Sequence, residues 1–359
     1  MRIEELDYDL PEGLIAQTPV EPRDASRLLV LRGPGVAQTL DDRVFHELPR
    51  LLREGDVLVR NDTRVLPARA RFRRASGGRV ELLFLEPLVV DAGGREWEVL
   101  ARGKLREGET LRSEVGGDRF RVELRRRLDG GRWTVCSLAA EPPAQLLAAY
   151  GETPVPPYIK TAPADGERYQ TTYSREPGSA AAPTAGLHFT PPLDEALRAA
   201  GVTIEHLTLH VGLATFKPVT VPRVEDHPLH EEPYSVPAAT WRRIAAAAAE
   251  GRRVVAVGTT VVRLLEELAR RPCARPAPDR EGIVRGRTGL LITPGFEFRL
   301  VGGLLTNFHL PRTSLLALVM AFCGRDETRR AYEHAIAARY RFYSFGDAML
   351  AWRAGGGGG

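Results

Sequence analysis

The middle of the chain is patterned as short β-strands. Apolar residues alternate with charged ones in two runs, 68–73 and 119–124. Period-two alternation is typical of a strand with one buried and one solvated face. Glycine-rich turn signals separate about six such strands; they lie at 76–78, 93–94, 116–117 and 129–131. The pattern predicts a small antiparallel β-barrel or sandwich.

The rest of the chain alternates strands with helices. Apolar runs at 27–31 and 56–59 predict strands near the start. The later predicted elements are a helix near 192–200, a strand at 202–211, a helix at 237–250, a strand at 254–257, and helices after Thr260 and Pro311. This order is typical of an α/β domain with a partly parallel sheet.

These two patterns define the expected organisation. We predict a discontinuous α/β main domain, residues 1–60 and 151–359, with an inserted small antiparallel β-barrel domain at 61–150. The glycine run 355–359 predicts a flexible tail.

Composition narrows the class of protein. The 359 residues are long enough for two domains, and 43% hydrophobic with 27% charged residues is typical of a soluble globular protein. No apolar run approaches the roughly 20 residues of a membrane span, and the first residues lack a signal-peptide core. Cys136, Cys273 and Cys323 are far apart, which indicates neither a disulfide framework nor a zinc ribbon. We predict a cytoplasmic protein.

Charge is unevenly distributed. Residues 60–150 hold 18 basic against 13 acidic residues, so their excess of five exceeds the net +4 of the whole chain. Such asymmetry points to a polyanionic partner. Five arginines on the predicted barrel face could track phosphates or could simply be solvated; they are Arg69, Arg71, Arg73, Arg119 and Arg121.

Residues 181–190 form the first candidate site. An apolar run reaches His188 and then passes into a helix start at which Thr190 can act as N-cap. An imidazole and backbone donors therefore converge in one loop, a common arrangement in a small-molecule site.

Further polar groups follow predicted strands. His210 ends one strand, the segment 258–260 follows another, Asn307 and His309 follow a third, and Asp347 follows an aromatic run. Ligands of open α/β sheets bind beyond the carboxyl ends of strands. We therefore expect His188, His210, His309 and Asp347 to converge at one edge. A structural role is the alternative for each of them, including an N-cap role for Asp347 in a terminal helix.

Other site types are not supported. His227 and His230 are separated by Pro228, which makes a metal-binding helix unlikely. No G-x-G-x-x-G or G-x-S-x-G motif is present, so neither a Rossmann dinucleotide site nor a nucleophile elbow is predicted. We predict no metal.

Several long motifs together resemble one family, the S-adenosylmethionine:tRNA ribosyltransferase-isomerases of queuosine biosynthesis. The similarity extends from about residue 3 to 352. The matching segments are 17–19, 23–28, 61–65, 183–190, 210–213, 257–260, 306–311 and 346–350.

The resemblance implies a reaction. The ribosyl part of S-adenosylmethionine would be joined to 7-aminomethyl-7-deazaguanine at the tRNA wobble position, giving epoxyqueuosine with release of adenine and methionine. It implies tRNA and S-adenosylmethionine as partners, the latter as co-substrate, with no permanently bound cofactor. We expect no membrane partner, and we expect the protein to be a monomer. It also implies an α/β domain with an inserted barrel, in agreement with the patterns above.

This reaction needs a base near C5′ of the sulfonium nucleoside and an acid for adenine departure, and histidine suits both. The hypothesis is that His188 and His210 share the proton transfers, with His309 in the catalytic set. Asp347 would orient an imidazole or meet the substrate amine. Thr259 and Thr260 would hold the methionine carboxylate. The substrate-binding candidates are Arg23, Asp24, Arg27, Asn61, Asp62, Arg64, Thr184, Gly186, Gly258, Thr259, Thr260 and Asn307.

Two other functions stay open. A tRNA methyltransferase would use the same co-substrate but release S-adenosylhomocysteine, and the chain lacks a glycine-rich methyltransferase loop. A non-catalytic RNA-binding protein would explain the basic barrel but not the polar strand ends.

Overall fold

A computed structural model describes residues 1–32, 39–88, 94–156, 158–160, 165–212, 219–270 and 278–353. The glycine tail 355–359 and Cys273 lie outside the described residues. The chain divides into two compact units. The first comprises Met1–Thr63, Pro157–Glu176 and Ala182–Gly359, and the second comprises Arg64–Pro156 and Pro177–Ala181. The domain ranges 1–60 with 151–359, and 61–150, stay a prediction.

The secondary structure of the described residues is mixed. The helices are α1 Leu48–Leu51, α2 Pro143–Tyr150, α3 Pro191–Ala199, α4 Ala238–Ala249, α5 Thr259–Arg270, α6 Ser314–Cys323 and α7 Arg325–Ala337. The strands are β1 Arg27–Arg32, β2 Thr39–Val44, β3 Val57–Asn61, β4 Thr63–Val65, β5 Arg69–Arg74, β6 Arg79–Pro87, β7 Glu96–Ala101, β8 Thr110–Ser113, β9 Gly117–Arg127, β10 Arg132–Ser137, β11 Glu176–Ser179, β12 Thr203–Leu209, β13 Glu232–Pro237, β14 Val254–Val257, β15 Ile283–Thr288, β16 Gly303–Asn307 and β17 Ala348–Trp352.

The first unit is built on a nine-stranded mixed sheet, counted over the described residues. Its strand order is β15-β13-β12-β3-β14-β16-β17-β1-β2. The four central strands β12, β3, β14 and β16 are parallel. Strand β17 is antiparallel to β16 and parallel to β1. The carboxyl ends of the four central strands therefore share one sheet edge with the starts of β17 and β1.

Burial on both faces explains the continuous apolar sequences of the central strands. Every residue of β14 and of β3 is buried, as expected for parallel strands covered by helices. The Thr190 hydroxyl accepts a hydrogen bond from the Leu193 amide and so caps α3, as the sequence predicts. Helix α5 begins directly after β14, where Gly258 adopts φ +89°, a conformation that favours glycine.

The second unit contains a closed six-stranded antiparallel barrel with the order β10-β7-β6-β5-β8-β9. Its core is aromatic: the Phe72 and Phe120 rings lie 5.1 Å apart and the Phe84 and Trp97 rings 5.9 Å apart. The burial pattern alternates along β5 and β9, so the arginines of these strands face outward. The predicted α/β fold with a small antiparallel barrel is confirmed.

One predicted element is wrong. The aromatic run 340–346 is not a strand, and the chain enters β17 only after Asp347. Tyr343 has a left-handed φ of +77°, and its carbonyl accepts the Gly346 amide, which closes a turn. Asp347 therefore precedes a strand, and no terminal helix follows it within the described residues. Among those residues, no helix is long and apolar enough to span a bilayer.

Candidate active site

A cleft lies at the sheet edge where β14 and β16 end. Its empty space is about 520 Å³, a volume that includes open solvent. Its lining includes the start of α5 and the first residues of the short 3₁₀ helix Thr184–His188. Six of its lining residues were predicted from sequence; they are Thr184, Gly258, Thr259, Thr260, Asn307 and His309. The structure therefore brings together five of the twelve predicted substrate-binding residues and one predicted catalytic histidine.

His188 is buried outside the lining of this cleft, in a separate small pocket with Arg23 and Ser26, and both of its ring nitrogens are bonded. Its Nδ1 lies 2.7 Å from the Ser26 hydroxyl, and its Nε2 lies 3.1 Å from the side-chain nitrogen of Asn307. The ring stacks on Phe45 at 4.8 Å. Burial, together with the smaller effect of nearby Arg168, lowers the pKa of His188 to about 3. The imidazole is therefore neutral at physiological pH.

His309 is the predicted histidine that lines the cleft. Its Nε2 lies 2.9 Å from the Thr306 hydroxyl, and its backbone amide donates to the Tyr332 hydroxyl at 3.0 Å. Burial alone lowers the pKa of His309 to about 3. A neutral imidazole is able to accept a proton, so His309 has the state that a general base needs.

Two backbone amides bind the Asp347 carboxylate. It accepts the amides of Arg27 at 2.9 Å and Arg341 at 2.7 Å. Burial raises the pKa of Asp347, although these two amide bonds oppose the rise. No imidazole contact to its carboxylate is present among the described residues. Its carbonyl instead accepts from Asn307 at 3.4 Å, which links Asp347 to the His188 cluster.

His210 belongs to a second cluster at the same edge. Its Nδ1 lies 2.8 Å from the Thr63 hydroxyl, beyond the ends of β12 and β3. Strand β12 is three positions from β16 in the sheet, so the two strands lie about 14 Å apart at the usual strand spacing. The structure thus places His210 on the edge with Asn307 but does not bring it next to His188. Burial lowers the pKa of His210.

Asn61 and Asp62 form hydrogen bonds that stabilise this second cluster, around His210 and Thr63. The Asn61 amide group donates to the Leu209 carbonyl and accepts the Leu209 amide, at 2.8 and 3.0 Å. Asp62 accepts the Thr208 hydroxyl at 2.7 Å, and burial raises the pKa of Asp62. Both side chains tie the end of β3 to β12. Arg64 lies half-buried on β4 in the second unit.

Three residues predicted within 23–27 form hydrogen bonds with the segments around His188. Arg23 donates to the carbonyls of Gln170 and Leu187, at 2.8 and 3.3 Å. Asp24 accepts the hydroxyl of the α3 N-cap residue at 2.7 Å. Arg27 donates to the Ala338 carbonyl at 2.7 Å. These contacts position the site, and substrate contact by these residues stays a prediction.

Gly186 is fixed by a close approach within the 3₁₀ helix. A Cβ at this position would overlap the Tyr173 hydroxyl and lie 2.8 Å from Cγ2 of Thr171. A residue without a side chain is therefore required there, and the helix that carries Thr184 and His188 can pack closely.

The sequence analysis missed an aromatic pair in the cleft. Tyr158 and Tyr343 both line it, with ring centroids 3.8 Å apart in an edge-to-face arrangement, and the Tyr158 hydroxyl contacts Ser344. Tyr343 is a buried residue other than glycine with positive φ, a strain that concentrates at functional sites. The available signal for Tyr343 is the run of six aromatic or polar residues, 340–345, before a glycine, but its pattern predicts a strand.

The barrel arginines differ in their partners. Arg71 lies 3.1 Å from Glu152 and Arg73 lies 3.1 Å from Glu114. Arg69 lies 3.7 Å from Glu81. Arg119 and Arg121 are exposed and form no ion pair with the described residues. Across the described residues, no group of three His, Cys, Asp or Glu is arranged to hold a metal ion.

Comparisons with known proteins identify the family of this chain. The family model described as queuosine biosynthesis protein matches residues 3–351. The chain belongs to this family. A relative from Rubrobacter xylanophilus, named S-adenosylmethionine:tRNA ribosyltransferase-isomerase, is 51% identical and covers 98% of this chain and 97% of its own length. A relative of the same name from Moorella thermoacetica is 50% identical over 98% of this chain and 99% of its own.

A solved structure shares the fold. The crystal structure of S-adenosylmethionine tRNA ribosyltransferase from Thermotoga maritima is 38% identical, covers 97% of this chain and 99% of that chain, and has a TM-score of 0.54. The predicted family and the predicted enzyme class are confirmed. The specific substrate, the products and the residue roles are matters for proposal.

Proposed function

We propose that this chain transfers and isomerises the ribosyl moiety of S-adenosylmethionine onto 7-aminomethyl-7-deazaguanine at the wobble position of tRNA. The products are epoxyqueuosine-tRNA, adenine and methionine. The observation that carries the proposal is the cleft between α5 and the 184–188 helix, because it joins a helix start, a buried asparagine and a neutral histidine in a chain of this family.

The positive sulfur of S-adenosylmethionine acidifies C5′, so the reaction begins with loss of a proton to a base. His309 fits that role because it lines the cleft and is neutral. His188, with both nitrogens bonded, and Asp347, bonded to two amides, fit positioning roles in the same catalytic set. His210 and its neighbours at the end of β12 fit proton transfer farther along the edge, toward the leaving adenine or the incoming base.

Carboxylate binding suits the start of α5. The first amides of a helix have no partner within the helix and lie at its positive end. Thr259 and Thr260 are buried and line the cleft at this point. We propose that they hold the methionine carboxylate, with the Gly258 turn bringing their amides to the end of β14.

The barrel supplies the proposed tRNA contact. Strand register places Arg79, Arg73, Arg112 and Arg121 directly opposite one another on β6, β5, β8 and β9. Like charges opposite each other on adjacent strands are unfavourable, so this row has no evident role in barrel stability. Glu114 and Asp118 neutralise part of it. An exposed arginine row of this kind fits a phosphate backbone.

The test is a product assay. Purified protein, S-adenosylmethionine and tRNA bearing the aminomethyl base are incubated, and the small products are separated by chromatography. The proposal requires adenine and methionine in equal amounts. S-adenosylhomocysteine would instead indicate a methyltransferase, and unchanged S-adenosylmethionine a non-catalytic RNA-binding protein.

The same assay, applied to variants, tests the proposed role of each histidine. His188→Ala, His210→Ala and His309→Ala are each expected to slow adenine release by about 100-fold or more. His46→Ala is the control because His46 is exposed and outside both clusters. Full adenine release by both His188→Ala and His210→Ala would contradict the proposed catalytic set. A cytoplasmic, monomeric enzyme without a permanently bound cofactor is part of the same proposal.

A further inference from the structure

We propose that Asn307 binds the ammonium group of the amino-acid end of S-adenosylmethionine, and that His188 holds the Asn307 amide in the orientation this requires. The inference rests on the proposed function and makes it more specific. It assigns His188 a positioning role and gives the methionine end a defined place in the cleft.

The orientation of the Asn307 amide follows from its two neighbours. Its side-chain nitrogen lies 3.1 Å from Nε2 of His188 and 3.4 Å from the carbonyl oxygen of Asp347. A backbone carbonyl can only accept a hydrogen bond, so the NH₂ group must face this side. The flipped amide would place an oxygen against that carbonyl and lose the bond to Asp347 whichever tautomer His188 adopts.

The His188 tautomer follows in turn. Because Nε2 accepts from the Asn307 amide, the ring proton of neutral His188 is on Nδ1, where it is donated to the Ser26 hydroxyl 2.7 Å away. Burial keeps the pKa of His188 low, which is consistent with this neutral ring. Stacking on Phe45 fixes the ring plane. His188 is therefore a rigid acceptor for the amide.

The side-chain oxygen of Asn307, Oδ1, has no hydrogen-bond partner among the described residues. Asn307 is 2% exposed, and its Oδ1 forms no hydrogen bond with the described part of the chain. Buried acceptors without a partner are rare in native proteins and call for an explanation. Since Asn307 lines the cleft, a donor on the bound molecule provides one.

The neighbouring strand indicates which donor. Asn307 ends β16, and β14, which pairs with β16, leads into Thr259 and Thr260 at the start of α5. Adjacent strands lie about 4.8 Å apart. An α-amino acid carries its carboxylate and its ammonium on one carbon, so it can reach the helix start with one group and Oδ1 of Asn307 with the other. The adenosine part has no such paired charges.

The test compares S-adenosylmethionine with its deaminated analogue, in which the amino-acid end is a butanoate, by titration calorimetry. The wild-type protein is expected to bind the analogue at least 10-fold more weakly. Asn307→Leu is expected to bind both compounds with equal affinity, because the acceptor is gone. Asn307→Ala, which also removes the acceptor and adds no bulk, keeps the test available if the leucine variant does not fold.

His188→Leu tests the positioning role. Without the Nε2 acceptor the amide is free to rotate, so the preference for S-adenosylmethionine over the analogue is expected to fall at least 3-fold. A general loss of stability would weaken both ligands together and leave the ratio unchanged. His46→Leu is the matched control, and its ratio should equal that of the wild type.

The outcomes separate this inference from the proposed function. If the wild-type protein releases adenine but binds both compounds equally, the inference is overturned and the proposed function stands. The same holds if Asn307→Leu or Asn307→Ala retains the wild-type preference. If S-adenosylmethionine neither binds nor yields adenine, both are wrong.

Discussion

The side-chain nitrogen of Asn307 lies 3.1 Å from Nε2 of His188, and this hydrogen bond joins the end of β16 to the 184–188 helix. The two residues are 119 positions apart in the chain. Their contact places a neutral imidazole behind the cleft wall and not in the open cleft. It also separates the role of His188 from that of His309, which lines the cleft itself.

Gly186→Ala is expected to destabilise the protein by about 1–3 kcal/mol, the usual cost of overpacking. The new methyl group would overlap the Tyr173 hydroxyl, and the Tyr173 ring packs under the Arg60 guanidinium at 3.8 Å. Urea unfolding measures the change. Gly13→Ala is the control, because a Cβ at Gly13 meets nothing within 4 Å. Equal stability of the two variants would contradict the packing argument.

Asp194→Ala is expected to cost about 3–5 kcal/mol of unfolding free energy. Arg60 is 1% exposed, and its Nη1 lies 2.6 Å from the Asp194 carboxylate. Removing the carboxylate leaves a buried cation without its charged partner. Glu250→Ala removes the partner of an exposed pair with Arg252 and should cost less than about 1 kcal/mol. Chemical unfolding of both variants checks the contrast, and a similar small loss in both would refute it.

Arg121→Glu is expected to weaken tRNA binding and to reduce the slope of log K against log salt by about 1. Arg71→Glu should have a smaller effect, because Arg71 already pairs with Glu152. Fluorescence anisotropy over a range of salt concentrations gives both quantities. Arg50→Glu, an exposed arginine on α1, is the control. Salt slopes that match the wild type in both barrel variants would show that tRNA binds elsewhere.

Local patterns predicted most of the fold. Alternation is enough to identify β5 and β9, because buried residues alternate with outward charged residues over 68–73 and 119–124. The strand β14 and the start of α5 were also predictable, since an all-apolar run is followed directly by glycine and threonine. These features are set by residues that are neighbours in sequence.

The rest depends on contacts between distant residues. One partner of the Asp347 carboxylate is the Arg27 amide, 320 positions away, and no local signal gives that pairing. The direction of β17 depends on its pairing with β16 and β1, and the turn at Tyr343 depends on packing that offsets an unfavourable φ. Sequence alone therefore placed the histidines at one edge but could not show that His210 follows β12, three strands from β16, at whose end Asn307 contacts His188.

Acidification should destabilise the protein, in part through His188. The pKa of His188 is about 3 in the folded chain because of burial, whereas an unfolded histidine has a pKa near 6.5. Between these values the unfolded state binds a proton that the folded state does not, so stability falls as pH decreases from about 6.5 toward 3. The contribution reaches about 1.4 kcal/mol per pH unit for one group.

His188→Gln should remove this contribution. Urea unfolding at pH 7, 6, 5 and 4.5 is expected to show a shallower loss of stability for the variant, by up to about 1.4 kcal/mol per pH unit below pH 6. Burial raises the pKa of Asp62 and Asp347, which has the opposite sign, but both are present in wild type and variant and so cancel in the difference. His46→Gln is the control, and its slope should equal that of the wild type. A His188→Gln slope equal to the wild-type slope would mean that the folded protein can protonate His188, and the Asn307 amide would then lack a fixed acceptor.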